Sequence, residues 1–473
     1  MALTKYPEGS LKELCGVSIP LVLFSFSSVL MFFLDRLFLA RYSLDALNAV
    51  SNGGTLMWGF ATGFYILASM AEVFVAQFNG AGLSHKLGQP VWQMIWFSLL
   101  SIFFFVPIAH WGTEMIYKGS LNEEMTSRYF AWMMYSGATW PLIAALSAFF
   151  IGQGKTKVII YLIVVANISN IILDVVFIFG IEGIIPSMGI IGAALSSVIN
   201  QSVQIIFLSY LFLKKSNRVL YGTGDWKFRP ALFRKCFRIG FPQALLETFV
   251  VLGWAAYYRI MTEAGVAFIT IASICHSIFL LFSFIGEGIY KGVAAISGNF
   301  IGAKKLKYIP KVFRSGVKFH LVCFVLISTV MLIYPEPLIN QFLPVPEPYE
   351  TPLIFTFGQG NLTQHEFVQQ LRVCLAFMLF YLLFENISWV FSGILSAAGD
   401  TMYIFIAGSI SIWVFLITPI YYFVVVRGSS VWIAYLIMAI YSLITCCWYG
   451  WRYSRGKWKK IDLMEKAIKS SWH

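Results

Sequence analysis

The sequence predicts an all-α, polytopic membrane protein with 12 transmembrane helices in two six-helix bundles. Apolar residues make up 59% of the 473 positions and charged residues 12%, whereas soluble domains average about 25% charged residues. Twelve stretches are long enough to cross a bilayer, because a spanning helix needs about 20 mostly apolar residues. Motifs in the first half recur in the second, which indicates a parallel internal repeat.

The predicted spans follow one another along the whole chain. Their approximate limits in the first half are 14–41, 51–78, 91–116, 129–152, 157–181 and 188–213. In the second half they are 236–262, 266–300, 310–334, 366–397, 402–426 and 430–452. Several spans exceed the minimal length, so we expect them to tilt or to extend beyond the bilayer.

Three short motifs relate the two halves of the chain. Two pairs lie 222 positions apart and one pair 245: Cys15–Pro20 with Phe237–Pro242, Gln77–Ala81 with Asn299–Ala303, and Gly154–Thr156 with Gly399–Thr401. The chain therefore divides into an N-lobe at 1–213, a basic linker at 214–235, a C-lobe at 236–452 and a tail at 453–473. Parallel repeats of this kind place substrate sites between the halves, near the middle of the membrane.

Lysine and arginine residues concentrate on one side of the predicted membrane, which we call the basic side. Alternate connections and the tail carry 25 of them there, and the other side carries four. By the positive-inside rule the basic side is cytoplasmic, so we expect both termini in the cytoplasm and the protein in the plasma (inner) membrane. This topology accounts for the net charge of +12 without nucleic acid binding.

Acidic residues inside the spans are the main functional signal, because a charge in the bilayer is costly to insert. Asp35 interrupts the first span, and its repeat partner is Tyr257. Asn170 and Asp174 lie four residues apart on the fifth span and therefore share one helix face. Asp35 and Asp174 are at similar depth, so the sequence predicts a site for a proton or a sodium ion in the N-lobe.

The C-lobe carries its own acids. Glu247 and Glu385 match each other in depth, and Glu287 lies in the eighth span with Lys291 four residues later. These three acids are predicted to form a second acidic site or to line the substrate path.

Each of these polar groups also has a structural interpretation. The structural alternatives are an interfacial pair of Asp35 with Arg36, interhelical bonding by Asn170 and Asp174, a local ion pair of Glu287 with Lys291, a Glu72 that reaches the inner membrane surface, and a buried core His276. None of these alternatives requires a ligand.

The stretch Gly152–Thr156 has a superficial likeness to a phosphate-binding loop. The full motif needs a glycine five residues before Gly154, where this chain has Phe149. Without a nucleotide motif, we expect transport energy to come from an ion gradient, with no cofactor beyond the coupling ion.

Four motifs together resemble the multidrug and toxic compound extrusion (MATE) family, of the NorM and DinF kind. They are the fifteen-residue spacing of Pro20 and Asp35, and the stretches Glu72–Gly82, Asn170–Gly180 and Met188–Ser197. The resemblance implies that Asp35 is the first-helix aspartate of cation coupling, with Asn170 and Asp174 as partners and Ser197 as a hydroxyl in the cluster. It also implies that Glu385 is the tenth-helix acid of sodium-coupled members, and so a further candidate for a sodium ion. Glu247 falls three residues before the position of the seventh-helix glutamate.

From the residues and the resemblance we expect an ion-coupled (H+ or Na+) antiporter that exports amphipathic organic cations or drugs by alternating access. The expected partners are a small organic substrate and membrane lipid, with no nucleic acid, and the protein is expected to be a monomer and not an enzyme. Two alternatives stay open: a flippase for a lipid-linked precursor, and an exchanger of a specific metabolite.

Overall fold

The computed structural model describes residues 3–119, 123–333, 355–357, 360–362 and 364–463. Within these ranges it contains twelve helices of membrane-crossing length and composition, counting the bent eighth helix as one span. The predicted all-helical, multi-pass fold is confirmed. We number the spans first to twelfth in chain order.

The N-lobe holds six spans, several of them interrupted by breaks or π-helical turns. They are Leu11–Tyr42; Leu44–Ser69 with Ala71–Gly80; Gly88–Leu100 with Ile102–Pro107, Ile108–Gly112 and Thr113–Tyr117; Glu123–Tyr135 with Thr139–Gly152; Lys157–Asp174 with Val175–Phe179; and Gly189–Phe212. A single turn, Ser84–Lys86, joins the second span to the third.

The C-lobe repeats this order. Its spans are Pro230–Ala264; Val266–Gly302; Ile309–Ile333; Gln364–Ala397; Thr401–Ile410 with Ser411–Ile417, Thr418–Ile420 and Tyr421–Val426; and Val431–Ser454. The eighth span bends by 40° between Leu280 and Phe282. Short turns at Leu306–Tyr308 and Lys457–Lys460 cap the basic side.

A small hairpin precedes the tenth span and was not predicted. Its strands β1 (Phe355–Phe357) and β2 (Gly360–Leu362) pair antiparallel, with Phe355 opposite Leu362. Strand β1 packs against the eighth span. Three-residue strands are too short to leave a clear alternating pattern in sequence.

The linker predicted at 214–235 is partly helical. Lys215–Tyr221 forms a short helix, and the seventh span begins at Pro230 rather than at 236. Proline suits the first helical position because its φ is already helical and it has no N–H to satisfy. The N–H of Arg229 donates to Oε1 of Gln93 at 2.8 Å, so the linker packs on the third span.

The described parts of both termini lie on the basic side. Lys235 Nζ donates to the carbonyl of Leu463 at 2.7 Å, and Lys305 donates to the carboxylate of Glu8. This hydrogen bond to Lys305 lowers the pKa of the Glu8 carboxyl. These two bonds hold both described ends against basic-side segments, and residues 464–473 of the predicted tail lie outside the described residues.

The two lobes meet along the basic side. A buried apolar cluster joins Leu14 and Leu21 of the first span to Ile289 and Val293 of the eighth and Ile394 of the tenth. Closer to the middle of the membrane, the rings of Phe26 and Phe284 contact edge to face, with centroids 6.1 Å apart.

The repeated motif Gln77–Ala81 / Asn299–Ala303 forms the centre of this contact, which we call the basic-side seam. A methyl group on Gly80 would overlap the carbonyl of Asn299, and one on Gly302 would overlap the carbonyl of Gln77. Asn79 Nδ2 donates to Asn299 Oδ1 at 2.6 Å. Each half of the motif therefore packs its glycine on the backbone of the other half, as expected across a pseudo-two-fold axis.

Candidate functional site

The N-lobe acidic site consists of Asp35, Asn170, Asp174 and Ser196. Asn170 and Asp174 are completely buried between the fifth span and its neighbours. The Asp35 carboxyl of the first span interacts with both of them, and the Ser196 hydroxyl of the sixth span donates to Asp174. Three spans thus bring two carboxyl groups, an amide and a hydroxyl together.

Several polar atoms of this site are buried without a partner. They are Oδ1 of Asp35, Oδ2 of Asp174 and both amide atoms of Asn170. An unsatisfied buried polar group in a native site is costly and calls for an explanation such as a proton, an ion or ordered water. Oxygen ligands are the donors that hard cations prefer. The set therefore has the chemistry of a site for a proton or a small cation.

The hydroxyl at Asp174 comes from Ser196, whereas the resemblance placed it at Ser197. Adjacent residues on a helix point about 100° apart, and Ser196 is fully buried while Ser197 is half-buried. The sequence does hold a signal for Ser196. Gly192, four residues earlier and on the same face, packs against the carbonyl of Phe177.

The fifth span ends in an unusual way beside the site. Its α-helix stops at Asp174 and continues as a π-helical turn, Val175–Phe179, closed by Gly180 at φ 79°. Wider turns of this kind occur frequently at functional sites. Here the carbonyl of Phe177 in the turn packs against Gly192 of the sixth span.

The C-lobe acids form a second group that is separate from the N-lobe site. Glu247 interacts electrostatically with Glu287 and with Glu385. Trp389 Nε1 donates to Glu385 Oε1 at 3.1 Å, and Oε2 of Glu385 is buried without a partner. The seventh, eighth and tenth spans therefore bring the three predicted acids within electrostatic range of one another.

The repeat partner of Asp35 lies in a neutral environment. Tyr257 is 1% exposed, and its hydroxyl bonds to that of Tyr435 at 3.2 Å. His276 lies nearby, with ring centroids 5.5 Å from Trp254 and 5.5 Å from Tyr258. The C-lobe counterpart of the acidic site is thus an aromatic cluster, and His276 packs within it.

Two other polar predictions have definite positions. Lys291 Nζ lies 2.6 Å from Glu287 Oε1, so the expected ion pair at helical spacing is present. Glu72 does not extend to the surface, because it is buried to 8% exposure in a cavity lined by spans of its own lobe and by Lys291. Arg36, next to Asp35, is exposed.

Together these features define a two-lobed, multi-pass membrane protein with an acidic site in one lobe and three acids within electrostatic range of one another in the other. The MatE family model matches residues 20–176 and 246–422. These blocks cover well over half of the chain, and the chain belongs to the MatE family. The family resemblance read from the motifs is confirmed.

Curated relatives agree with this assignment. The chain is 24% identical over 343 residues to the probable multidrug resistance protein NorM of Thermotoga maritima, an alignment that covers 71% of this chain and 73% of that protein. It is 22% identical over 419 residues to the protein of the same name from Bacillus subtilis, covering 87% and 88%.

Solved structures share the fold. A MOP superfamily transporter from Pyrococcus furiosus superposes with a TM-score of 0.80 at 15% identity, over 96% of this chain and 97% of the other. The outward-facing conformation of a multidrug resistance MATE family transporter superposes with a TM-score of 0.77 at 16% identity, over 95% and 97%.

Proposed function

We propose that this protein is an antiporter that exports amphipathic organic cations by alternating access, coupled to H+ or Na+. The observation that carries the proposal is the N-lobe acidic site, where the half-buried Asp35 carboxyl meets the fully buried Asp174 carboxyl. Like charges in contact repel each other, so the site favours uptake of a proton or a cation. An ion that binds one arrangement of the lobes better than another shifts the equilibrium between them.

A cationic substrate is supported by the C-lobe. Glu247, Glu287 and Glu385 give this lobe negative charge, and aromatic rings lie close by. Carboxylates and ring faces are the groups that attract delocalised organic cations. Relatives named as multidrug resistance proteins make drugs and similar compounds the first substrates to test.

Contact along the basic side supports an outward-facing arrangement, with that side cytoplasmic. The basic-side seam and the apolar cluster around Leu14 and Ile289 close the lobes there. Export then requires the seam to open toward the cytoplasm and close again, while each lobe moves largely as a rigid body.

The decisive experiment is export of a cationic dye from proteoliposomes under imposed gradients. Asp35→Asn removes one carboxylate of the acidic site and is expected to abolish gradient-driven export while the protein still inserts. Glu124→Gln is the matched control, because Glu124 is 77% exposed and its carboxylate pairs with Arg128. If Asp35→Asn vesicles export dye at the normal rate, the proposal is wrong.

The coupling ion is identified in the same assay. Proton and sodium gradients are imposed separately, and Glu385→Gln is compared with Asp35→Asn. An effect of Glu385→Gln confined to the sodium gradient would assign sodium to the C-lobe. Lipid translocation without dye export would favour the flippase, and inhibition by a single metabolite would favour the exchanger.

A further inference from the structure

Lys291 is a buried cation at the boundary between the two lobes. It lies on the eighth span between Gly288 and Gly292, which are four residues apart. A methyl group on Gly288 would overlap the backbone of Val22, and one on Gly292 would overlap Ser18. The two glycines thus bring the eighth span directly onto the first, and Lys291 is 8% exposed as a result.

The Lys291 ammonium contacts groups from both lobes. Its Nζ lies 2.6 Å from Glu287 Oε1 on its own helix. It also lies 5.8 Å from the ring centroid of Phe24 and 5.7 Å from that of Tyr65, on the first and second spans. Both distances fall within the range in which an aromatic face attracts a cation.

A second carboxylate lies beside the same ammonium. Glu72 and Lys291 line one small cavity together with Phe24, Tyr65 and Ser69. Glu72 is 8% exposed, and its Oε1 has no hydrogen-bond partner. Glu72 attracts Lys291 electrostatically, so the cavity holds an unsatisfied acid facing a cation that belongs to the other lobe.

Two carboxylates and two ring faces are the groups that bind an organic cation. In the closed arrangement those groups surround an ammonium supplied by the chain itself. We propose that Phe24, Tyr65, Glu72 and Glu287 form a binding site for monovalent organic cations on the basic-side half of the lobe boundary, which Lys291 occupies as a tethered cation when the lobes are closed. The proposal rests on the export of organic cations proposed above.

Because the site is divided between the two lobes, it changes during the transport cycle. Phe24, Tyr65 and Glu72 move with the N-lobe, whereas Glu287 and Lys291 move with the C-lobe. Separation of the lobes on the basic side removes the ammonium from the two rings and opens the site to a cation from that side. Closure returns Lys291 to the rings, where it competes with the bound substrate and favours its release toward the opposite side.

The test is equilibrium binding of tetraphenylphosphonium to the purified full-length protein, measured by calorimetry without any ion gradient. Lys291→Met and Lys291→Gln remove the competing cation and are expected to lower the Kd for tetraphenylphosphonium by about tenfold. Lys291→Arg keeps a cation and is expected to bind as the unmodified protein does. Size-exclusion elution selects the variants that fold.

A second comparison separates the site from a simple opening of the lobes. Phe24→Leu and Tyr65→Leu, each combined with Lys291→Met, are expected to cancel the gain in affinity, because they remove the ring faces. If Lys291→Met merely opened the lobes, the gain would survive these changes and the proposal would be overturned. Unchanged binding in both Lys291→Met and Lys291→Gln would overturn it as well.

The binding test at Lys291 does not depend on ion coupling. Should Asp35→Asn export dye normally, the coupled mechanism fails while the binding comparison at Lys291 still stands. Should no variant bind tetraphenylphosphonium while Asp35-dependent export persists, the site at Lys291 is wrong and the coupled mechanism stands.

Discussion

Asp174 and Ser196 meet because a glycine lies one turn before the serine. Gly192 packs against the carbonyl of Phe177 in the π-helical turn, and Ser196 continues the same helix face. Ser196 and Ser197 are chemically identical, so only the rotation of the sixth helix decides which one bonds the aspartate. At the scale of single residues, the acidic site depends on that rotation.

The contact predicts different effects for two neighbouring serines. Ser196→Ala removes a buried donor to Asp174 and is expected to weaken coupling-ion affinity by about tenfold, since losing one partner of a buried hydrogen bond costs about 1–3 kcal/mol. Ser197→Ala is expected to leave that affinity unchanged. The measurement is the ion-concentration dependence of export, and equal effects of both substitutions would contradict the assigned rotation.

The second and eighth spans determine how closely the lobes approach. Gly80 and Gly302 occupy equivalent positions in the repeat, and each lies against the backbone of the opposite motif. Asn299 adds a bond from its Nδ2 to the carbonyl of Gly152 at 2.9 Å. Small residues of this kind allow membrane helices to pack at short distance. At the scale of elements, the two lobes therefore meet on the basic side through direct contact between helix backbones.

A side chain in the basic-side seam is expected to prevent full closure. Gly80→Val introduces a branched group where a methyl already overlaps Asn299, and overpacking of this kind costs about 1–3 kcal/mol. We expect slower export and a lower midpoint of thermal unfolding. Gly59→Val is the matched control, because no atom lies within 4 Å of a methyl group at Gly59. Normal export by the Gly80→Val protein would show that close packing is dispensable.

At the scale of the whole molecule, the two lobes share a scaffold but differ in chemistry. Asp35 of the N-lobe has a carboxyl partner in Asp174, whereas its repeat partner Tyr257 bonds to Tyr435. The C-lobe places its acids elsewhere, on the seventh, eighth and tenth spans. Symmetry therefore gives the two halves a common scaffold, and the departure from symmetry gives each half a different set of buried polar groups.

Motion of the lobes is expected to stop when the seam is linked covalently. Asn79 and Asn299 bond directly across it, so Asn79→Cys with Asn299→Cys places two thiols face to face. Oxidation of this pair is expected to block export, and reduction is expected to restore it. The single substitutions serve as controls for the native cysteines. Undiminished export by the oxidised protein would contradict opening at the seam.

The sequence predicted most of the scaffold because its signals are local or periodic. Apolar runs located all twelve spans, and spacing placed Asn170 and Asp174 on one face. The hairpin at β1 and β2 escaped prediction, and so did the start of the seventh span at Pro230 inside the basic linker. Burial of Glu72 was also missed, because the residues around it come from other spans of its own lobe and, in Lys291, from the opposite lobe.

The sequence by itself determined the number and order of the helices, the internal repeat, and the set of acids whose insertion into the membrane is costly. These follow from composition and spacing along one chain segment at a time. Only the tertiary structure decided that Ser196 faces Asp174, that the repeated glycines pack on each other's motifs, and that Lys291 of one lobe lies between the rings of the other. Such contacts join residues far apart in the chain, and their geometry depends on helix rotation and lobe packing, which no local pattern specifies.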